Sequence, residues 1–131
     1  MTNILFLCRY NRFRSKIAEA YFNKKSKKRA AKSAGFFPGI PLSKEILDCA
    51  NSFGLKLSNT THGVNHKLIM WSNKIIVIDN ANSLPLFEDY IKNDKKKVIR
   101  WNIPDIEGSS MDKRKDTVQR IIKKIDSELL K

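Results

Sequence analysis

Residues 4–15 read I-L-F-L-C-R-Y-N-R-F-R-S, from Ile4 to Ser15. The run Ile4–Leu7 shows no polar alternation, which is the pattern of a short strand buried on both faces, and Asn3 to Leu7 is predicted as the first strand. From Arg14 to about Lys24 the apolar residues Ile17, Ala18, Tyr21 and Phe22 fall at helical spacing, with charges between them. A doubly buried strand that gives way to a helix after one short turn is the opening of a parallel, helix-covered sheet. Cys8 then stands at the carboxyl end of the strand, and Arg9, Arg12 and Arg14 follow it directly. A structural cysteine gains nothing from such neighbours, whereas a nucleophilic thiol or a site for an anion gains much.

The rest of the chain continues the alternation. Arg29 to Ala34 is predicted as a second strand closed by Gly35, and Ser43 as the N-cap of a helix carrying Ile46, Leu47, Ala50 and Phe53 on one face. Gly54 suits the left-handed position after that helix. Lys74 to Asp79, K-I-I-V-I-D, is the clearest buried strand, and Lys97 to Trp101 is a fourth. Ser109 to Asp112 has capping-box spacing ahead of a helix with Val118, Ile121, Ile122, Ile125 and Leu129 on one stripe. The predicted fold is a small doubly wound, Rossmann-like α/β domain spanning residues 1–131, a four-stranded parallel sheet with helices on both faces. Ligands of such sheets bind beyond the carboxyl ends of the strands. The turn after the first strand is therefore expected to be a phosphate-binding loop, its N–H groups and the following helix N-terminus facing an anion.

Composition narrows the function classes. A chain of 131 residues is expected to form one domain with a core of its own. No apolar run approaches the length of a membrane span, and the N-terminus has neither a basic region nor a long apolar one, so neither membrane insertion nor a signal peptide is expected. Two cysteines suit a reducing compartment, and a cytoplasmic location is expected. Cys8, Cys49, His62 and His66 fall at no paired ligand spacing, so no metal is expected, and no cofactor is called for. The formal net charge is +13, from 26 Lys and Arg against 13 Asp and Glu. Its clusters, Lys24 to Arg29 and Lys95 to Lys97, carry no interleaved aromatic residues for base stacking, so they read as solvated surface and no nucleic-acid partner is expected. A monomer is expected. Trp71 is expected in the core, and His62 and His66 at the surface or in caps.

The spacing C-x5-R-S, Cys8 to Ser15, answers the needs of phosphoryl transfer from a monoester. Cys8 supplies a nucleophile, and a thiol beside a helix N-terminus and cationic groups is of the readily ionised kind. Arg14 can return across the loop so that its planar guanidinium meets two phosphate oxygens. Ser15 can donate its hydroxyl to the thiolate, and Asn11 can bridge loop groups and hold the turn open. The phosphate would then sit within Arg9, Tyr10, Asn11, Arg12, Phe13, Arg14 and Ser15. The bare spacing is weak evidence; its position between first strand and first helix, with serine directly after arginine, is much stronger.

With these residues the chain resembles the low-molecular-weight protein tyrosine phosphatase family and its arsenate-reductase relatives. The resemblance rests on Cys8, Asn11, Arg14 and Ser15 in C-x-x-N-x-x-R-S, on Ser33-Ala34-Gly35 after the second strand and on Phe53-Gly54-Leu55. It extends to Asp79 with Asn82 after the third strand. It implies a protein tyrosine phosphatase working through a phosphocysteine, with Asp105 of W-N-I-P-D-I as general acid and no metal. The substrate would be a phosphotyrosine protein or small aryl phosphate, and inorganic phosphate the product. The chain departs from the family pattern at Tyr10 (usually Gly), Phe13 (often Cys) and Lys16 (usually Pro), and Pro104 precedes Asp105 where the family has Asp-Pro. Asp112, which suits a helix cap, and Asp94, before the fourth strand, are poorer candidates for the acid. Of the aromatic residues expected to line the substrate slot, Trp101 and Tyr10 are the nearby replacements. Asp79 with Asn82 reads as a structural turn near the rim. Two alternatives remain: an arsenate reductase using an external thiol, since D-N-A-N-S-L-P-L-F (Asp79 to Phe87) offers no relay cysteines, and a non-catalytic phosphate-binding or carrier module.

Overall fold

The computed structural model describes residues 2–27, 30–79, 97–105 and 110–130. Four strands, β1 (Asn3–Cys8), β2 (Ala30–Gly35), β3 (Lys74–Ile78) and β4 (Lys97–Trp101), form one sheet of order β2-β1-β3-β4. All three pairings are parallel. The helices among the described residues are α1 (Arg14–Lys25), α2 (Lys44–Ser52), α3 (His66–Trp71) and α4 (Met111–Glu128). The expected α/β architecture is therefore present, with Cys8 the last residue of β1. Arg29, Asn82, Asp94, Ile106 and Ser109, each singled out above, lie outside the described residues.

The unbroken apolar character of β1 is explained by its place. Ile4 and Phe6 point into a large core with α1, α2 and α4, where they meet Ile17, Phe22, Ile46 and Ile121. Leu5 and Leu7 point the other way, into a smaller core with Ile69 of α3 and with Ile75 and Val77 of β3. A strand in the middle of a sheet covered on both sides has no face to spare for polar residues. Trp101, 1% exposed, packs its ring 6.0 Å from that of Phe6. Trp71, expected in the core, is only half-buried: Lys32 Nζ sits 4.6 Å above its ring. It closes the short α3, and the cation covers one face of its ring.

Local signals held where a single residue decides the geometry. Ser43 Oγ accepts from Ile46 N at 3.3 Å to cap α2, and Gly54 takes the left-handed conformation, φ 73°, just beyond it. Helix α4 is capped by Ser110, whose Oγ accepts from Lys113 N at 3.3 Å, one residue later than the cap expected at Ser109. Ser110 takes the extended backbone of a cap (φ −68°, ψ 163°), and because Lys113 stands three residues on, it caps through its hydroxyl alone, with Asp112 in the first turn. Helix α1 begins after Phe13 with no side-chain cap, as befits a helix whose N-terminus is turned to a binding loop.

Register aligns the ends of the strands: Cys8 pairs with Gly35, and Ile78 with Trp101. The chain after Cys8 is thereby pressed against β2. Phe36 N donates to Cys8 O at 3.2 Å and Phe37 N to Arg9 O at 2.8 Å. A Cβ on Gly35 would stand 2.6 Å from Asn11 N and 2.7 Å from the carbonyl carbon of Tyr10, both rigid backbone. Gly35→Ala is predicted to displace the loop and to lower stability by about 1–3 kcal/mol, the usual cost of overpacking. Urea denaturation would measure it, and an unchanged midpoint would show that the loop can yield.

Candidate active site

The loop between β1 and α1 is built around Asn11. Its backbone is left-handed, φ 54°, a conformation asparagine tolerates better than most residues. Its side chain is completely buried and fully used. Nδ2 donates to Ser15 Oγ at 2.8 Å and to Ser33 Oγ at 3.0 Å, while Oδ1 accepts from His62 N at 2.8 Å. Asn11 thus ties the loop to β2 and to the segment before α3, and not only to itself as expected. Ser33 in turn donates to Glu19 Oε1 at 2.5 Å.

This chain of bonds ends at the thiol. Cys8 Sγ and Ser15 Oγ are 3.0 Å apart, both buried. Ser15 Oγ also accepts from Asn11 and keeps one proton and one lone pair of its own, so the hydroxyl can serve Cys8 as donor or as acceptor. Directly after it, Lys16 is 3% exposed and donates from Nζ to Ser58 Oγ at 2.9 Å. Burial pushes the Lys16 ammonium below its ordinary pKa, and the charges of Glu19 and Cys8 oppose that shift.

Arg14, also 3% exposed, is held from the other side of the sheet. Its Nη1 donates to Asp79 Oδ1 at 3.0 Å and to Ile103 O at 2.9 Å. Asp79, expected to be a turn residue at the rim, is instead wholly buried just past the end of β3. The reason is topological: β3 lies beside β1, so the residue after β3 must face the loop after β1. Arg9 Nη2 stands 3.8 Å from the same carboxylate oxygen, and Arg9 Nη1 stands 4.0 Å from Asp105 Oδ2. Arg100 Nε donates to Asp79 O at 3.0 Å.

Cys8, Arg12 and Arg14 line a pocket whose other walls come from Ile46 of α2, Asp105 after β4 and Arg114 of α4. Tyr10 and Phe13 add aromatic surface to it. Trp101, expected to help line the substrate slot, does not: it is consumed by the core behind. Asp112, the poorer candidate, stands exposed in the first turn of α4. Cys49, the other thiol, is fully buried on α2, and burial pushes its pKa up. No group of three or more His, Cys, Asp or Glu side chains among the described residues could hold a metal ion. No described helix is long and apolar enough to cross a membrane.

Sequence reasoning brought Cys8, Arg14, Asn11, Ser15 and Asp105 to the same place and missed three partners. Asp79 could have been found from its position at the carboxyl end of a strand as buried as β1. Glu19 falls one helical turn after Ser15, on the same face of α1, but its partner Ser33 lies on another strand. Arg114 had no signal, because the approach of α4 to the loop is set by core packing.

The family model of the low molecular weight phosphotyrosine protein phosphatases matches residues 3–130. No functionally curated protein matches the sequence. Among solved structures, an arsenate reductase from Archaeoglobus fulgidus is 23% identical with a TM-score of 0.80, over 98% of this chain and 99% of that one. A low molecular weight protein tyrosine phosphatase from T. tengcongensis is 22% identical with a TM-score of 0.77, over 96% of each chain. The YwlE arginine phosphatase from Geobacillus stearothermophilus is 20% identical with a TM-score of 0.77, over 99% of this chain and 96% of that one. At these identities the likeness is one of fold.

A buried guanidinium that loses its carboxylate costs on the order of 3–5 kcal/mol. Asp79→Asn keeps the shape and removes the charge, and it is predicted to destabilise by about 3 kcal/mol, at the lower end of that range. Denaturant titration measures the loss. A change no larger than that from an exposed charge such as Lys123→Gln would show that Arg14 is held by other means.

Proposed function

This chain belongs to the low molecular weight phosphotyrosine protein phosphatase family, and on that premise we propose that it hydrolyses protein phosphotyrosine through a phosphocysteine. The observation that carries the proposal is the convergence of Cys8, the anchored Arg14 and the carboxylate of Asp105 on one pocket, with the Ser15 hydroxyl bonded to the thiol behind it.

In the first step Cys8 Sγ attacks phosphorus, forming an S–P bond as the bond to the tyrosine oxygen breaks. Arg14 and the N–H groups of Arg9 to Arg14 stabilise the charge on the equatorial oxygens. Asp105 gives its proton to the departing phenolate. In the second step Asp105 takes a proton from water, whose oxygen attacks phosphorus. The S–P bond then breaks to give inorganic phosphate and the Cys8 thiolate. The bond from Asp79 to Arg14 orients the guanidinium without touching the substrate. The scheme calls for no metal or cofactor.

The lining of the pocket favours an aryl ester over a phosphorylated arginine. Tyr10, Phe13 and Ile46 offer apolar surface to a ring, while Arg12 and Arg114 oppose a second guanidinium. Reduction of arsenate by an internal relay would require a second thiol able to reach Cys8. Cys49 is buried on α2, does not line the pocket, and has its pKa raised. A reductase would therefore have to draw on an external thiol, and an arsenate assay beside aryl phosphate hydrolysis on one preparation separates the two readings.

Cys8→Ser is predicted to abolish turnover with the fold intact, since a hydroxyl is a far weaker nucleophile at neutral pH. Residual turnover of wild-type size would sink the mechanism. Asp105→Asn should slow hydrolysis of phosphotyrosine by about 10²–10⁴ and that of nitrophenyl phosphate much less, because a stable leaving anion needs no proton. Equal losses on the two esters would remove Asp105 from the role and direct attention to Asp112.

A further inference from the structure

Lys16 carries its charge where the fold gives it little support. It is the third residue of α1, in a first turn without acidic residues, so the positive end of the helix dipole opposes the ammonium. It is 3% exposed, and lysine is almost never buried so deeply unless its charge is compensated. An ammonium has three donors, yet Ser58 Oγ, at 2.9 Å, is its one hydrogen-bond acceptor among the described residues. That partner is a neutral hydroxyl. Lys16 also enters no ion pair among those residues. Glu19, three residues further along the helix, accepts from Ser33 Oγ instead.

We propose that Lys16 is a positioning residue for the reaction, a buried cation outside the pocket that holds Cys8 in its thiolate form. The inference deepens the phosphatase reading and rests on Cys8 being its nucleophile. Burial pushes the Lys16 ammonium below its ordinary pKa, and two anions, Glu19 and then Cys8, oppose that shift. The coupling of two charges is mutual, so a thiolate that helps Lys16 keep its proton is itself favoured by Lys16. The proton that the thiol gives up passes to water.

Its position gives this cation a role that the pocket's own charges do not fill. Among the described residues, Tyr10, Arg12, Arg14, Asp105 and Arg114 are the other titratable or charged groups that line the pocket with Cys8. A phosphate dianion entering there draws on the cations of the pocket, Arg14 first. Lys16 does not line the pocket, so its charge still offsets the sulfur when the dianion is bound. The Ser15 hydroxyl bonded to the thiol is neutral and supplies no such charge. Sulfur is anionic twice in the cycle, before it attacks phosphorus and again as the S–P bond breaks. One fixed cation therefore serves both steps.

The test is alkylation of Cys8 by iodoacetamide, followed by mass spectrometry of its peptide so that Cys49 is scored apart. Lys16→Met keeps the unbranched shape and removes the charge. At about pH 6 its alkylation should be about tenfold slower than in the wild type, the lower end of what a neighbouring opposite charge does to an ionisation. By about pH 9 the two rates should converge, because the thiol of each is then largely ionised. Ser58→Ala removes the hydrogen bond of an exposed residue and keeps the charge, so its rate at the lower pH should match the wild type. Hydrolysis of nitrophenyl phosphate at that pH should fall in Lys16→Met alongside alkylation. The reciprocal measurement is NMR titration of Lys16 Cε, which should show the ammonium losing its proton at lower pH in Cys8→Ser than in the wild type; it decides the question if Lys16→Met does not fold. A wild-type rate for Lys16→Met at the lower pH overturns the inference, as does a slowing just as large at the higher pH. An equal slowing in Ser58→Ala, or a Lys16 titration unmoved by Cys8→Ser, overturns it too. A wild type that hydrolyses neither phosphotyrosine nor nitrophenyl phosphate overturns the phosphatase reading, and the alkylation rates still decide whether Lys16 acts on Cys8.

Discussion

The burial of the Arg14 guanidinium is the constraint on which the site depends. A cation almost wholly removed from water is tolerated only if it is paired and its donors are satisfied. Both protein partners come from across the sheet: Asp79 from the end of β3 and the carbonyl of Ile103 from just past β4. Neither could reach Arg14 unless β1 lay beside β3 with all strands pointing the same way. The ion pair and the strand order therefore support each other. The guanidinium is held before any ligand arrives, so the cost of ordering it is not charged to binding.

The thiol is organised by neutral groups. Between Glu19 and Cys8 run Ser33, Asn11 and Ser15, each hydroxyl or amide oriented by its neighbour and all buried or nearly so. Along it the amide of Asn11 donates with both hydrogens, to Ser15 and to Ser33, and Ser33 passes its own proton to Glu19. The left-handed backbone of Asn11 and the missing side chain of Gly35 are the steric conditions for closing it. Strain at one residue is compensated by contacts from three segments, as is usual where a loop must hold an exacting shape.

Charge in this chain acts at two depths. Most of the lysines are solvated and contribute a long-range field that salt weakens. The loop arginines and Lys16 are different, being wholly or partly withdrawn from water and given specific partners. Lys16 stands where the resemblance leads one to expect a proline, and its burial against Ser58 lowers its hold on its proton while the neighbouring Glu19 and Cys8 strengthen it. The first turn of α1 thus combines a hydroxyl bonded to the thiol, a buried ammonium and the anchored guanidinium within three successive residues.

Strand positions were legible because burial on both faces leaves an unmistakable composition, as in Ile4–Leu7 and Ile75–Ile78, and a parallel doubly wound sheet follows from strands alternating with amphipathic helices. The loop was legible because Cys8, Asn11, Arg14 and Ser15 lie within eight consecutive residues, so that one turn brings them together whatever the rest of the chain does. Asp79, Arg114 and the pairing of Glu19 with Ser33 were not, since each depends on which elements become neighbours. The exchange of the two tryptophans has the same origin: Trp71 and Trp101 both flank apolar strands, and only the packed sheet decides which ring meets Phe6. The sequence alone determined the elements, their order and the local chemistry of the loop, because those arise from contacts along a few consecutive residues. Only the tertiary structure decided what holds the arginine, what ties Asn11 to β2 and which charges surround the pocket, because those contacts join residues far apart in the chain, such as Arg14 and Ile103, 89 positions apart, about which local spacing carries no information.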